Sequence, residues 1–78
     1  MSVDWTGPIE PILKRVARDA HYRLHVIGRH PMIPIIVSLN ENNVSLSMLI
    51  RNIRYQAQER ASIQIYPKRK RIELRYKS

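Results

Sequence analysis

The sequence predicts a two-layer α+β fold: two helices on one face of a four-stranded antiparallel sheet, in the order αββαββ. Three observations carry this expectation. Two stretches, 8–20 and 45–60, space their apolar residues as a helix does. The stretch 62–76 alternates apolar and polar residues with the period of a strand and breaks once, at Pro67. The two halves of the chain can also be laid on each other. A shift of 37 carries Ile9, Ile12, Leu13, Val16 and Ala20 onto Leu46, Leu49, Ile50, Ile53 and Ala57, and a shift of 39 carries Leu24, Val26, Ile33, Ile35 and Val37 onto Ile63, Ile65, Ile72, Leu74 and Tyr76. The expected organisation is one domain over 1–78, with an internal αββ repeat made of units 8–39 and 44–76.

Residues 1–7 read as an extended, flexible tail with Trp5 as its packing peg. The first helix follows at Pro8–Ala20. Its stripe is Ile9, Ile12, Leu13, Val16, Ala17 and Ala20, and its prolines, Pro8 and Pro11, fit only in a first turn, where the amide hydrogen is not needed. Thr6 or Gly7 is the expected cap.

Residues 21–39 read as a first hairpin. Tyr22, Leu24 and Val26 alternate with Arg23 and His25, Gly28–Pro31 makes the turn, and Met32–Leu39 returns with Ile33, Ile35 and Val37 facing inward. Pro34 removes a ladder donor and moves this strand to an edge. A short helix over 33–39 is the rival, and the β-branched Ile33, Ile35, Ile36 and Val37 favour the strand. After the turn at residues 40–43, Ser45 or Asn43 caps a second helix that runs to about Arg60, with the stripe Leu46, Leu49, Ile50, Ile53 and Ala57.

The last hairpin has one register that puts every aliphatic residue on one face. Tyr66 pairs with Arg71, Ile65 with Ile72 and Ile63 with Leu74, while Gln64 opposite Glu73 and Ser62 opposite Arg75 take the other face. Its tip carries Lys68, Arg69, Lys70 and Arg71 in succession.

Composition narrows the function classes. A chain of 78 residues buries only about 60–65 % of its unfolded surface, and with no cysteine it has neither disulfides nor thiolate metal sites. Fourteen Lys and Arg against six Asp and Glu give a net charge of +8, which points first to a polyanion such as nucleic acid. No apolar run approaches the roughly 20 residues that span a bilayer, and the acidic, Pro-containing start does not read as a secretory signal. A cytoplasmic location is the expectation, with no membrane partner.

His21, His25 and His30 have no carboxylate or thiol at ligand spacing, so they read as structural and no metal is expected. With glycine only at Gly7 and Gly28 there is no phosphate-cradling loop, and no Ser, His and Asp fall at a spacing that sets up a nucleophile. No cofactor, small-molecule substrate or enzymatic activity is expected.

The expected function is therefore nucleic-acid binding, with RNA favoured over DNA because the basic elements are a hairpin and a tail. Lys68, Arg69, Lys70 and Arg71 would hold phosphates, Arg75 and Lys77 would extend the footprint, Arg29 would serve from the first tip, and Tyr66 would stack on a base. The segment Val26–Met32 resembles the strand-to-helix loop of the archaeal Alba chromatin proteins, in which a basic pair after the glycine touches nucleic acid. The resemblance covers under a tenth of the chain and implies such a contact for Arg29 and His30. The alternative is a structural or assembly protein that forms a homo-oligomer, or docks on a protein partner, through its sheet face or edge. Ile27, Met32 and Ile36, placed together on the outer sheet face, are the candidate interface for a homodimer.

Overall fold

The computed structural model describes residues 1–77. The chain runs β1 (Val3–Pro8), α1 (Ile9–Asp19), β2 (Arg23–Ile27), β3 (Ile36–Glu41), α2 (Leu46–Ala57), β4 (Ala61–Tyr66) and β5 (Arg71–Tyr76), with a single 3₁₀ turn at Pro67–Arg69 between the last two strands. The class is α+β with two helices, as the periodicities predict. The sheet is not the single four-stranded antiparallel one of the sequence reading. There are two: a two-stranded sheet β1–β3, and a three-stranded sheet of order β2–β5–β4 in which β2 runs parallel to β5. Each helix touches both sheets, α1 through β1, β2 and β5, and α2 through β3 and β4.

Both helices bury the expected stripes. Ile9, Ile12, Leu13, Val16 and Ala17 of α1 and Leu49, Ile50, Ile53 and Ala57 of α2 are buried, together with Val37, Leu39, Ile63, Ile72 and Leu74 from the strands. Each of the large ones is worth about 1.5–3 kcal/mol of transfer free energy. Ser45 caps α2, its Oγ accepting from the Met48 amide at 3.2 Å. At α1 the cap position is Pro8, not Thr6 or Gly7, and no side chain serves it. The free Ile9 amide donates instead to Ile35 O at 2.9 Å, so the loop ahead of β3 supplies the acceptor.

The last hairpin forms in the expected register, residue for residue from Ser62↔Arg75 to Tyr66↔Arg71. The first hairpin does not form. Pro31 and Pro34 hold the chain between β2 and β3 out of regular structure, and β2 turns to β5 while β3 turns to β1. Ile33, expected inward, is 74 % exposed. Val3–Pro8, read as a tail, is a strand paired with all six residues of β3, because Val3 and Trp5 alternate with Asp4 and Thr6 and offer one apolar face. The repeating unit is accordingly strand–helix–strand, β1–α1–β2 and β3–α2–β4, not αββ. The first strands of the two units pair with each other and the second strands flank β5.

Gly28 ends β2 where only glycine fits. Its φ is +96°, and a Cβ there would lie 2.8 Å from Tyr76 O.

Candidate functional site

Three surface features remain once the core is accounted for. The first is the outer face of the three-stranded sheet. Its rows across the strands are Arg23–Arg71–Tyr66, His25–Glu73–Gln64 and Ile27–Arg75–Ser62. Glu73 sits at the centre, 12 % exposed, and accepts from Arg71 Nη2 and Arg75 Nη2 at 3.2 Å each. One carboxylate therefore serves two guanidinium groups, and the face keeps a positive balance with Arg23. Arg71 Nε is buried without a hydrogen-bond partner.

The second is the basic tip. Tyr66, Lys68, Arg69 and Lys70 are exposed there, and Lys70 Nζ lies 5.3 Å from the centre of the Tyr22 ring. Arg71, paired with Tyr66, adjoins it, but Arg29, Arg75 and Lys77 are not brought to it. Because β2 is parallel to β5, Ile27 pairs with Arg75, so Arg29 lies at the far end of the sheet from the tip, about five residues or 16 Å along the strands. The two tips of the supposed repeat do not coincide. Lys77 is tied to the end of α2, its amide donating to Arg60 O at 3.0 Å and its Nζ to Gln58 O at 3.3 Å. The segment likened to the Alba loop leads from a strand to a strand, not to a helix, and His30 Nε2 lies 2.8 Å from Glu10 Oε1.

The third is apolar. Met32 is fully exposed, and Ile33 and Ile36 follow within five residues at 74 % and 54 % exposure. Ile27, expected beside Met32 and Ile36, is half-buried on the other sheet, so the three do not share a face. Ile33 takes its place, and sequence reasoning missed it because its alternation with Ile35 was read as a strand. The loop that carries Met32 and Ile33 is pinned at several points: His30 to Glu10, the His30 ring 5.5 Å from that of Tyr76, Ile33 O to Arg60 Nη2 at 2.6 Å, and Ile35 O to the Ile9 amide.

Two strand edges are closed by side chains from α2. Gln56 takes both backbone groups of Ser38 on β3, its Oε1 accepting from the Ser38 amide at 2.8 Å and its Nε2 donating to Ser38 O at 2.7 Å. Arg54 Nε donates to Ile63 O on β4 at 3.0 Å. Edges blunted in this way do not add further strands readily. Among the described residues no group of three metal-ligating side chains converges, and no helix is long and apolar enough to cross a membrane.

The sequence model of one protein family, described as DotD protein, matches residues 1–76, nearly the whole chain. The chain belongs to the DotD family. No curated protein matches it. DotD proteins are components of type IV secretion systems that interact with proteins. This membership overturns the nucleic-acid reading, the RNA preference included, on which the phosphate-binding roles expected of Lys68, Arg69, Lys70, Arg71, Arg75, Lys77 and Arg29 and the stacking role expected of Tyr66 rested. The positive charge that prompted that reading is real, but charge alone names a polyanionic or acidic partner and does not choose between them.

Proposed function

We propose that this chain is a non-enzymatic assembly component of a type IV secretion system, and that it docks on a protein partner through the apolar segment Met32, Ile33 and Ile36. Membership of the DotD family supports the assembly role. The observation that carries the docking surface is that three large apolar side chains stand exposed within five residues, two on a pinned loop and the third on the first residue of β3. Burying such side chains is worth about 1.5–3 kcal/mol each before the cost of association is subtracted. A loop already fixed by Glu10, Arg60 and Ile9 loses little freedom on binding.

The test is secretion by cells whose only copy of this chain carries Met32→Glu, Ile33→Glu and Ile36→Glu. These side chains are exposed, so the variant keeps its far-ultraviolet circular dichroism and its melting temperature, and secretion is lost. Secretion at the wild-type level with the folded variant would overturn the proposal.

A further inference from the structure

We propose that the tip of the β4–β5 hairpin binds an acidic segment of a protein partner, with a carboxylate held by Arg69 and Arg71 and a neighbouring apolar side chain seated beside Ile65, Tyr66 and Pro67. The inference rests on the reading that the chain works among proteins. It is independent of the apolar segment at residues 32–36.

Two adjoining hollows carry it. One, of about 210 Å³, is lined by Tyr66, Arg69, Arg71 and Glu73. The other, of about 580 Å³, is lined by Ile65, Tyr66, Pro67, Lys68 and Arg69. Tyr66 and Arg69 line both, so a bound chain passing over them meets a charged hollow and then a largely apolar one.

The charges are unspent. Among the described residues no carboxylate lies within ion-pair distance of Lys68, Arg69 or Lys70. Arg71 shares Glu73 with Arg75, so one carboxylate serves two guanidinium groups, and its side chain stays 31 % exposed where it lines the charged hollow. A planar guanidinium in that condition suits a second carboxylate.

The backbone adds a separate sign. Lys70 has a φ of +52°, in the left-handed region where glycine or asparagine sits more easily, and its carbonyl is fixed by the Arg23 amide at 2.8 Å. A lysine at that position keeps a cation on the tip at the expense of backbone ease.

The probe is a fluorescein-labelled twelve-residue peptide of alternating Asp and Leu, titrated against the full chain by fluorescence polarisation. Its Asn counterpart, polyglutamate and a single-stranded DNA serve as comparisons. The Asp–Leu peptide binds tightest, and loss of the carboxylates in the Asn peptide weakens binding about tenfold or more. Arg69→Gln, on an exposed side chain, weakens it to a similar degree. Lys70→Gly also weakens it, while the melting temperature stays level or rises because glycine relieves the left-handed backbone. Binding no tighter than that of polyglutamate or DNA would reduce the tip to a generic cationic surface and overturn the proposal, as would an Asp–Leu affinity unchanged by Arg69→Gln. Loss of secretion in the 32–36 variant together with intact peptide binding separates the two surfaces.

Discussion

Tyr76 Oη donates a 3.0 Å hydrogen bond to Glu10 Oε1 across 66 residues of sequence, tying the last turn of chain in β5 to the first turn of α1. Glu10 also meets His30 Nε2 at 2.8 Å and Lys14 Nζ at 3.6 Å. A single half-buried carboxylate thus joins a strand, a helix and the loop that presents Met32 and Ile33.

That junction has a pH signature. The Tyr76 hydroxyl is pushed up to about 12, first because burial deprives the phenolate of hydration, and then because Glu10 accepts its proton's hydrogen bond and adds negative charge. The folded state therefore holds this proton after the unfolded chain has released it. The stabilisation is complete below about pH 10 and is lost as pH rises from there through about 12. In an ultraviolet titration of phenolate formation, one of the four tyrosines is expected to ionise late, and Tyr76→Phe to remove that late step. Glu10→Gln should lower it only in part, since burial, the larger cause, remains. Four tyrosines titrating together in the wild type would contradict the contact.

Gly28 tests the close approach of β2 and β5. Alanine there meets a positive φ and a carbonyl oxygen 2.8 Å from its Cβ. Gly28→Ala is expected to cost about 1–3 kcal/mol in urea unfolding. A change under about 0.5 kcal/mol, the usual range of a neutral surface substitution, would show that the turn relaxes freely.

Gln56 guards an edge. Removing its amide by Gln56→Ala leaves the Ser38 amide and carbonyl without their protein partners. The expected stability loss is about 1 kcal/mol, since water can replace part of the bond at this exposed position. Exposing the β3 edge should also raise self-association in sedimentation velocity. A variant that is as stable and as monodisperse as the wild type would remove Gln56 from this role.

Core packing gives a stability standard for these comparisons. Leu74→Ala, at a position fully buried between Val26 and Ile63, is expected to cost about 2–5 kcal/mol. Chemical denaturation that ranks Gly28→Ala above Leu74→Ala would contradict the placement of the core.

Local periodicity made the elements legible, and pairing partners were not. The stripes of α1 and α2 and the register of Ile63 and Ile65 against Leu74 and Ile72 follow from residue spacing, because each is decided within about 15 residues of chain. Whether Leu24 pairs within the segment that follows it or with Ile72 is a long-range choice that alternation does not encode, and adjacency in sequence chose wrongly. The parallel β2–β5 ladder also reverses one end of the basic surface, which is why Arg29 was placed with Lys68 and lies far from it. Val3, Trp5 and Thr6 did carry a strand signal, but one too short and too near the terminus to outweigh the reading of a tail. The exposed Met32–Ile33–Ile36 segment was half visible. Met32 and Ile36 were singled out, and Ile33 was hidden by assuming that the strand began four residues early. Charge named a partner class too narrowly, since an acidic protein segment attracts the same cations as a phosphate backbone.

Docking at residues 32–36 is read out by photo-crosslinking in secreting cells, with p-benzoylphenylalanine placed at Met32 and, as a control, at Asp4 on the exposed side of β1. Docking through the apolar segment gives an adduct at Met32 that contains another subunit of the secretion system and is abolished by Ile33→Glu with Ile36→Glu, and no such adduct at Asp4. Adducts of equal yield at both positions, or none at Met32, would contradict docking through the apolar segment.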